Sequence, residues 1–277
     1  MNFVFFGTPD FAAIILQKLI DNKIIPSLII TNPDKPVGRK KIMTPPPVKI
    51  IAKKYNLKCI QPEKLNSNEI KQLGEYQFGI LAAYGKIIPF DVINIFSKGI
   101  IVIHPSLLPK YRGPTPIQSV ILNNEKETGT TLFLMDEKVD HGPIIAQQKY
   151  ILPDNINFQK LHNDLANLSA DLLIKTLPEF LNNNCQLTQQ NDNDATYTKK
   201  FNNEDAFIKY EDLEKAQIIG GNIAQIIDKK IKALNPEPGT YTIDKNNKRI
   251  KLLDSEIKNN KLKLNIIQKE GKKPTKL

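Results

Sequence analysis

An alternation running through the first 150 residues leaves this chain few folds to choose from. Short runs rich in Ile, Val and Phe are separated by stretches with helical spacing of apolar residues. Strands are predicted at 3–6, 24–31, 58–60, 78–82 and 99–103, and helices at 11–20, 48–55 and 69–73. Residues 32–41 (Asn-Pro-Asp-Lys-Pro-Val-Gly-Arg-Lys-Lys) read as a loop from their prolines, glycine and charges. Parallel strands need long crossover connections, and helices supply them. The predicted fold class is therefore α/β, with a doubly wound, mostly parallel, Rossmann-like sheet.

Further along, a helix is predicted at 116–122 and strands at 129–135 and 144–151. Residues 158–182 carry a 3.6-residue pattern through Leu161, Leu165, Leu168 and Leu172, as one helix or two broken near Pro178. The Asn/Gln/Asp-rich stretch 182–203 is poor in apolar residues. It places one domain at 1–187, a linker at 188–205 and a second domain at 206–277. In that domain a helix around 218–234 precedes strands at 239–243, 249–253 and 261–267, a small and mostly β unit. Charge is uneven. Of 277 residues 39 are basic and 29 acidic, and the last 72 hold 16 of the former and 9 of the latter. That balance suits a polyanionic partner such as nucleic acid, or simply a soluble lysine-rich surface.

Other classes are excluded early. No apolar run reaches the ~18 residues of a membrane span, and the opening residues lack a basic n-region and cleavage site, so a cytoplasmic location is expected. Cys59 and Cys185 have neither disulfide-framework nor metal-ligand spacing, and no metal is expected. The turn Gly7-Thr8-Pro9-Asp10-Phe11 lacks G-x-G-x-x-G, which argues against a bound dinucleotide.

The densest chemical cluster follows the strand at 99–103: His104-Pro105-Ser106-Leu107-Leu108-Pro109-Lys110-Tyr111-Arg112-Gly113. A histidine at the carboxyl end of a strand suits acid–base work, and equally a structural hydrogen bond. Asp140, 36 residues later in a glycine-containing turn, is its candidate partner if the fold brings the two loops together. Ser106 raises a Ser-His-Asp hydrolase, but there is no G-x-S-x-G elbow.

These motifs, with 32–39, Met135-Asp136, Val139-Asp140-His141-Gly142 and Ala233-Leu234-Asn235-Pro236, resemble the methionyl-tRNA branch of the folate-dependent formyltransferases, in order along essentially the whole chain. The resemblance implies formyl transfer from 10-formyltetrahydrofolate to the α-amino group of methionyl initiator tRNA, by a monomer, for translation initiation. It implies that His104 donates to the developing oxyanion and that Asp140 orients or charges His104 and shuttles the proton, directly or through water. Ser106, Leu107, Leu108 and Pro109 correspond to the folate loop, and Ala83, Tyr84 and Gly85 to a wall of the pterin pocket. Arg39, Lys40 and Lys41 are assigned to tRNA. Residues 206–277 correspond to a tRNA-binding domain of oligonucleotide-binding (OB) barrel type, shortened.

One departure touches the chemistry. The family places an asparagine two residues before the histidine, and here that position is Val102. Valine has no polar hydrogen, and loss of one oxyanion donor costs ~10²–10³ in turnover. Gln118 or a backbone N–H could compensate. Two other readings stay open: a formyltransferase acting on a small amine, of purine-precursor or amino-sugar type, and a catalytically impaired tRNA-binding relative.

Overall fold

The computed structural model describes residues 1–38 and 40–277. Its contacts divide the chain into two units, 1–112 with 129–150 and 163–196, and 113–128 with 151–162 and 197–277.

In the first unit β1 (Phe3–Gly7) leads through Thr8-Pro9 into α1 (Asp10–Asp21), with Asp10 in the helix's first turn, where a carboxylate is favoured. The strand β2 (Leu28–Ile30) follows. It is shorter than the predicted 24–31, because Ile24 still donates to the Leu19 carbonyl at the end of α1 and Pro26 has no N–H to give. Pairing starts only where Ser27 donates to Phe3.

The predicted loop 32–41 is partly structured. The strand β3 (Lys35–Val37) pairs antiparallel with β4 (Ile42–Thr44), an exposed two-stranded hairpin missed by punctuation rules because Pro36 and Gly38 mask so short a strand. After it come α2 (Pro47–Lys54), β5 (Cys59–Ile60), α3 (Ser67–Leu73), β6 (Phe78–Ala82), α4 (Phe90–Ile93) and β7 (Ile100–His104). The one-turn α4 has no sequence prediction behind it. The chain continues through α5 (Pro116–Leu122), β8 (Glu127–Leu134), β9 (Ile144–Ile151) and α6 (Phe158–Leu181), a single helix that carries Pro178 inside it.

The sheet order is β5-β2-β1-β6-β7-β8-β9. Strands β5, β2, β1, β6 and β7 are parallel, and β8 runs antiparallel to β7. Phe3, Val4, Phe5 and Phe6 are all fully buried, the unalternating pattern of a parallel strand covered on both faces. Because β2 and β6 leave β1 on opposite sides, the sheet reverses direction there and opens a crevice at the carboxyl ends of its central strands.

In the second unit α7 (Asn203–Ala206) and α8 (Tyr210–Ile218) precede α9 (Asn222–Leu234). The helix predicted at 218–234 is thus the end of one helix and all of another. Gly220 and Gly221, both with positive φ, separate them. A four-stranded antiparallel sheet follows in the order β10 (Tyr241–Ile243), β11 (Arg249–Lys258), β12 (Lys261–Lys269) and β13 (Thr275–Lys276). Asn259 and Asn260, at φ 50° and 61°, make the tight β11–β12 turn. Leu213, Ala216, Ile227, Ile231, Leu252 and Leu262 form this unit's core. Helix α5 groups here because it packs against α9. No helix of the described residues is long and apolar enough to cross a membrane.

Candidate active site

Three turns at the carboxyl ends of β1, β2 and β6 are tied through one backbone atom. The Tyr84 carbonyl accepts from the Thr8 hydroxyl at 3.2 Å and from the Asn32 side chain at 2.9 Å. Asp34, at the root of the hairpin, accepts from Lys49 at 2.7 and 2.8 Å and from Gln61 at 2.8 Å. Those bonds hold its carboxyl below the usual carboxylate range. The hairpin tip carries Lys40 and Lys41, both exposed; Arg39, assigned to tRNA with them, lies outside the described residues.

In the turn after β6 the three expected pocket residues divide. Ala83, at φ 46°, and Gly85, at φ 77°, are exposed. Tyr84 between them is 1% exposed and packs into the core with Phe6, Val102, Leu108 and Phe133. Its hydroxyl has no hydrogen-bond partner, and burial pushes the phenol up to about 12. Its ring serves packing.

The loop after β7 is pinned from inside. Thr131 donates its hydroxyl to the Ser106 carbonyl at 2.7 Å and accepts from the Leu108 N–H at 3.1 Å. The Gln147 side chain donates to the Leu108 carbonyl and to Thr131, both at 2.8 Å. Ser106 is fully buried and donates its hydroxyl to the Lys110 carbonyl at 2.7 Å. It is a staple across the loop, a role that leaves it no part as a nucleophile toward His104.

His104 ends β7, opposite Thr131. Its Nε2 lies 2.9 Å from the Tyr111 carbonyl. A carbonyl only accepts, so Nε2 carries hydrogen and Nδ1 is turned the other way. Nδ1 faces Asp140 Oδ2 at 3.6 Å, with the side chains 7% and 18% exposed. The fold has joined two loops 36 residues apart, at a separation suited to charge attraction and longer than a direct hydrogen bond.

Val102 shares His104's face of the sheet, two residues earlier, in register between Leu81 and Phe133. It is 4% exposed and belongs to the apolar core, so nothing polar stands at the family's asparagine position. Gln118 lies on α5, among residues of the other unit. Among the described residues no group of three or more His, Cys, Asp and Glu side chains is arranged to hold a metal ion.

A formyl transferase family profile matches residues 1–177. The chain is 38% identical over 259 residues to a methionyl-tRNA formyltransferase of Staphylococcus aureus (strain Newman), covering 92% of this chain and 79% of that one. This chain belongs to the methionyl-tRNA formyltransferase family. Solved structures share the fold of this formyltransferase at lower identity. The methionyl-tRNA formyltransferase of Clostridium thermocellum has TM-score 0.63 and 18% identity, covering 97% of this chain and 98% of that one. An N-formyltransferase of Helicobacter canadensis, in complex with folinic acid and dTDP-3-aminofucose, has TM-score 0.66 and 21% identity, covering 93% and 88%.

Several supporting residues of this formyltransferase escaped sequence reasoning. Arg112 is 1% exposed and reaches Gln190 and Asp192, in the stretch read as linker. That hydrogen bond holds the Asp192 carboxyl below its usual range. His141 Nδ1 lies 2.6 Å from Asp136 and its Nε2 3.5 Å from Asp192. Tyr-Arg-Gly was visible as part of a motif. Gln190 and Asp192 sit among polar residues without periodicity, and no local signal marks them.

Proposed function

We propose that this enzyme moves the formyl group of 10-formyltetrahydrofolate onto the α-amino group of methionyl initiator tRNA, in a cytoplasmic setting, as a monomer, for translation initiation. The likeness to the Staphylococcus enzyme carries the choice of substrate, and the facing of His104 Nδ1 and Asp140 supports the chemistry. The folate supplies the formyl carbon and leaves through N10. The acceptor nitrogen bonds to that carbon as the bond to N10 breaks. Protonated on both ring nitrogens, His104 would donate from Nδ1 toward the charge growing on the formyl oxygen while Nε2–H stays on the Tyr111 carbonyl. Asp140 takes the proton the amine loses and returns it to N10, so the carboxylate ends as it began.

The loop of Ser106, Leu107, Leu108 and Pro109 is the proposed folate loop; Leu107 and Pro109, with the open surfaces of Ala83 and Gly85, would make its contacts, while the buried Ser106 and Leu108 hold the loop's shape. The half-buried Leu81, Met135 and Ile144 pack on the cluster that holds Val102, an apolar border that fits a flat pterin. Lys40 and Lys41, with Arg39, would meet the acceptor arm, and residues 206–277 the phosphates beyond it.

Label transfer from 10-formyltetrahydrofolate to methionyl-tRNA is the test, with amino-sugar nucleotides and purine-precursor amines as competing acceptors. Transfer to tRNA is expected. Transfer only to a small amine would replace this reading, and tRNA binding without transfer would select the impaired relative. In the same assay Val102→Asn is expected to raise kcat roughly 10-fold without lowering KM for folate. Its buried amide should cost about 1–3 kcal/mol in urea unfolding.

A further inference from the structure

Residues 190–196 lie across both loops of the site. Thr196 accepts from the Arg112 N–H at 2.8 Å through its carbonyl and from the Tyr111 N–H at 2.8 Å through its hydroxyl. Its own N–H donates to the Pro109 carbonyl at 3.3 Å. Arg112 donates through Nε and Nη2 to Gln190 Oε1, at 3.0 and 2.8 Å, and through Nη1 to Asp192 at 2.9 Å. The other end of the Gln190 amide does something different. Its Nε2 donates to the carbonyls of Asp140 at 3.0 Å and Gly142 at 2.8 Å, the two sides of the catalytic turn.

Asp140 needs such a grip. Its φ of 49° is left-handed, a conformation that costs a non-glycine residue ~1–2 kcal/mol and that the residue alone would leave. Relaxation of that φ would swing the carboxylate off His104. We propose that Gln190 is a positioning residue for the transfer. It clasps the Asp140 turn in its left-handed form, while Arg112, whose own backbone follows the Tyr111 carbonyl that holds His104, fixes the oxygen end of the same amide. This rests on His104 and Asp140 being the reacting groups, yet its central claim is geometric and can be read without turnover.

The chain has only three histidines, His104, His141 and His162, so imidazole ¹⁵N spectra of the full-length protein are readily assigned. Beside the clasp Arg112 pairs with Asp192, His141 faces Asp136 and Asp192, and Lys138 acts on Asp192; Gln190→Ala removes none of these charges. Strands β6 and β8 bring no charge beside His104. Gln190→Ala is expected to move the His104 Nδ1 resonance in the direction that Asp140→Asn moves it. In an Asp140→Asn background the same substitution should have no further effect on that signal. In turnover, Gln190→Ala should lower kcat about 10- to 100-fold with KM for both substrates unchanged, as expected when reacting groups shift by about 1 Å. The exposed neighbour substitution Gln189→Ala serves as the control. An unmoved His104 signal, an equal shift in the Asp140→Asn background, or wild-type kcat would each overturn the proposal. A wild-type protein that transfers no formyl group while the His104 shift is present would instead overturn the proposed reaction and leave the positioning role standing.

Discussion

His104 is defined by what its two nitrogens face. Nε2–H is committed to a backbone carbonyl, so in the proposed transfer any donation to substrate comes from Nδ1, beside Asp140, and needs hydrogen on both ring nitrogens. In the proposed transfer each residue depends on the other. His104→Ala and Asp140→Asn should each lower kcat by orders of magnitude, and the double variant should be little worse than the poorer single. Multiplying losses, measured with saturating folate and tRNA, would show two independent contributions. Ser106 shows how neighbours in sequence part company in role. Two residues from His104, its hydroxyl is spent on closing the loop.

Among the elements, the turn between β8 and β9 has no room for a side chain at its glycine. A Cβ on Gly142 would come within 1.8 Å of the Leu134 carbonyl oxygen, a backbone atom that cannot swing aside. Gly142→Ala should therefore destabilise the protein by about 1–3 kcal/mol or more and shift the turn that carries Asp140. An unchanged urea midpoint would show that the turn has room to give. The glycine, the aspartate and the histidine were all legible in the sequence, because strand ends and turn residues announce themselves by type. The parallel core strands were legible for a similar reason, as runs such as Phe3 to Phe6 that no exposed segment would carry. What was not legible depended on long-range pairing. The β3–β4 hairpin, three residues a strand and exposed on both, is too short to show a period. Gln190 gains its meaning only from carbonyls 48 and 50 residues away. The split of one predicted helix at Gly220-Gly221 was available locally, since paired glycines with positive φ stop a helix, but the apolar spacing on either side overrode it.

At the scale of the whole molecule, charge and chemistry are divided. The proposed reacting pair lies in the unit built on the parallel sheet, while the last 72 residues carry seven of the ten net positive charges. Lys258, Lys261 and Lys269 are exposed on the strand pair β11–β12. Neutralising them to Gln should flatten the dependence of tRNA affinity on salt, by roughly 0.7–0.9 in log–log slope for each phosphate left without its cation. Turnover at saturating tRNA should stay at the wild-type value. A slope equal to wild type would remove these lysines from the tRNA surface. The strap at 190–196 has a consequence for how the molecule is made. During synthesis the parallel strands β5-β2-β1-β6-β7 are complete once residue 104 has emerged, and Asp140 appears soon after. The amide that clasps its turn is added 50 residues later still, and Thr196 after that. A ribosome-bound chain can thus own both proposed reacting groups before the clasp on the Asp140 turn exists, so that on this reading catalytic competence arrives with a short polar stretch well after the sheet that displays it.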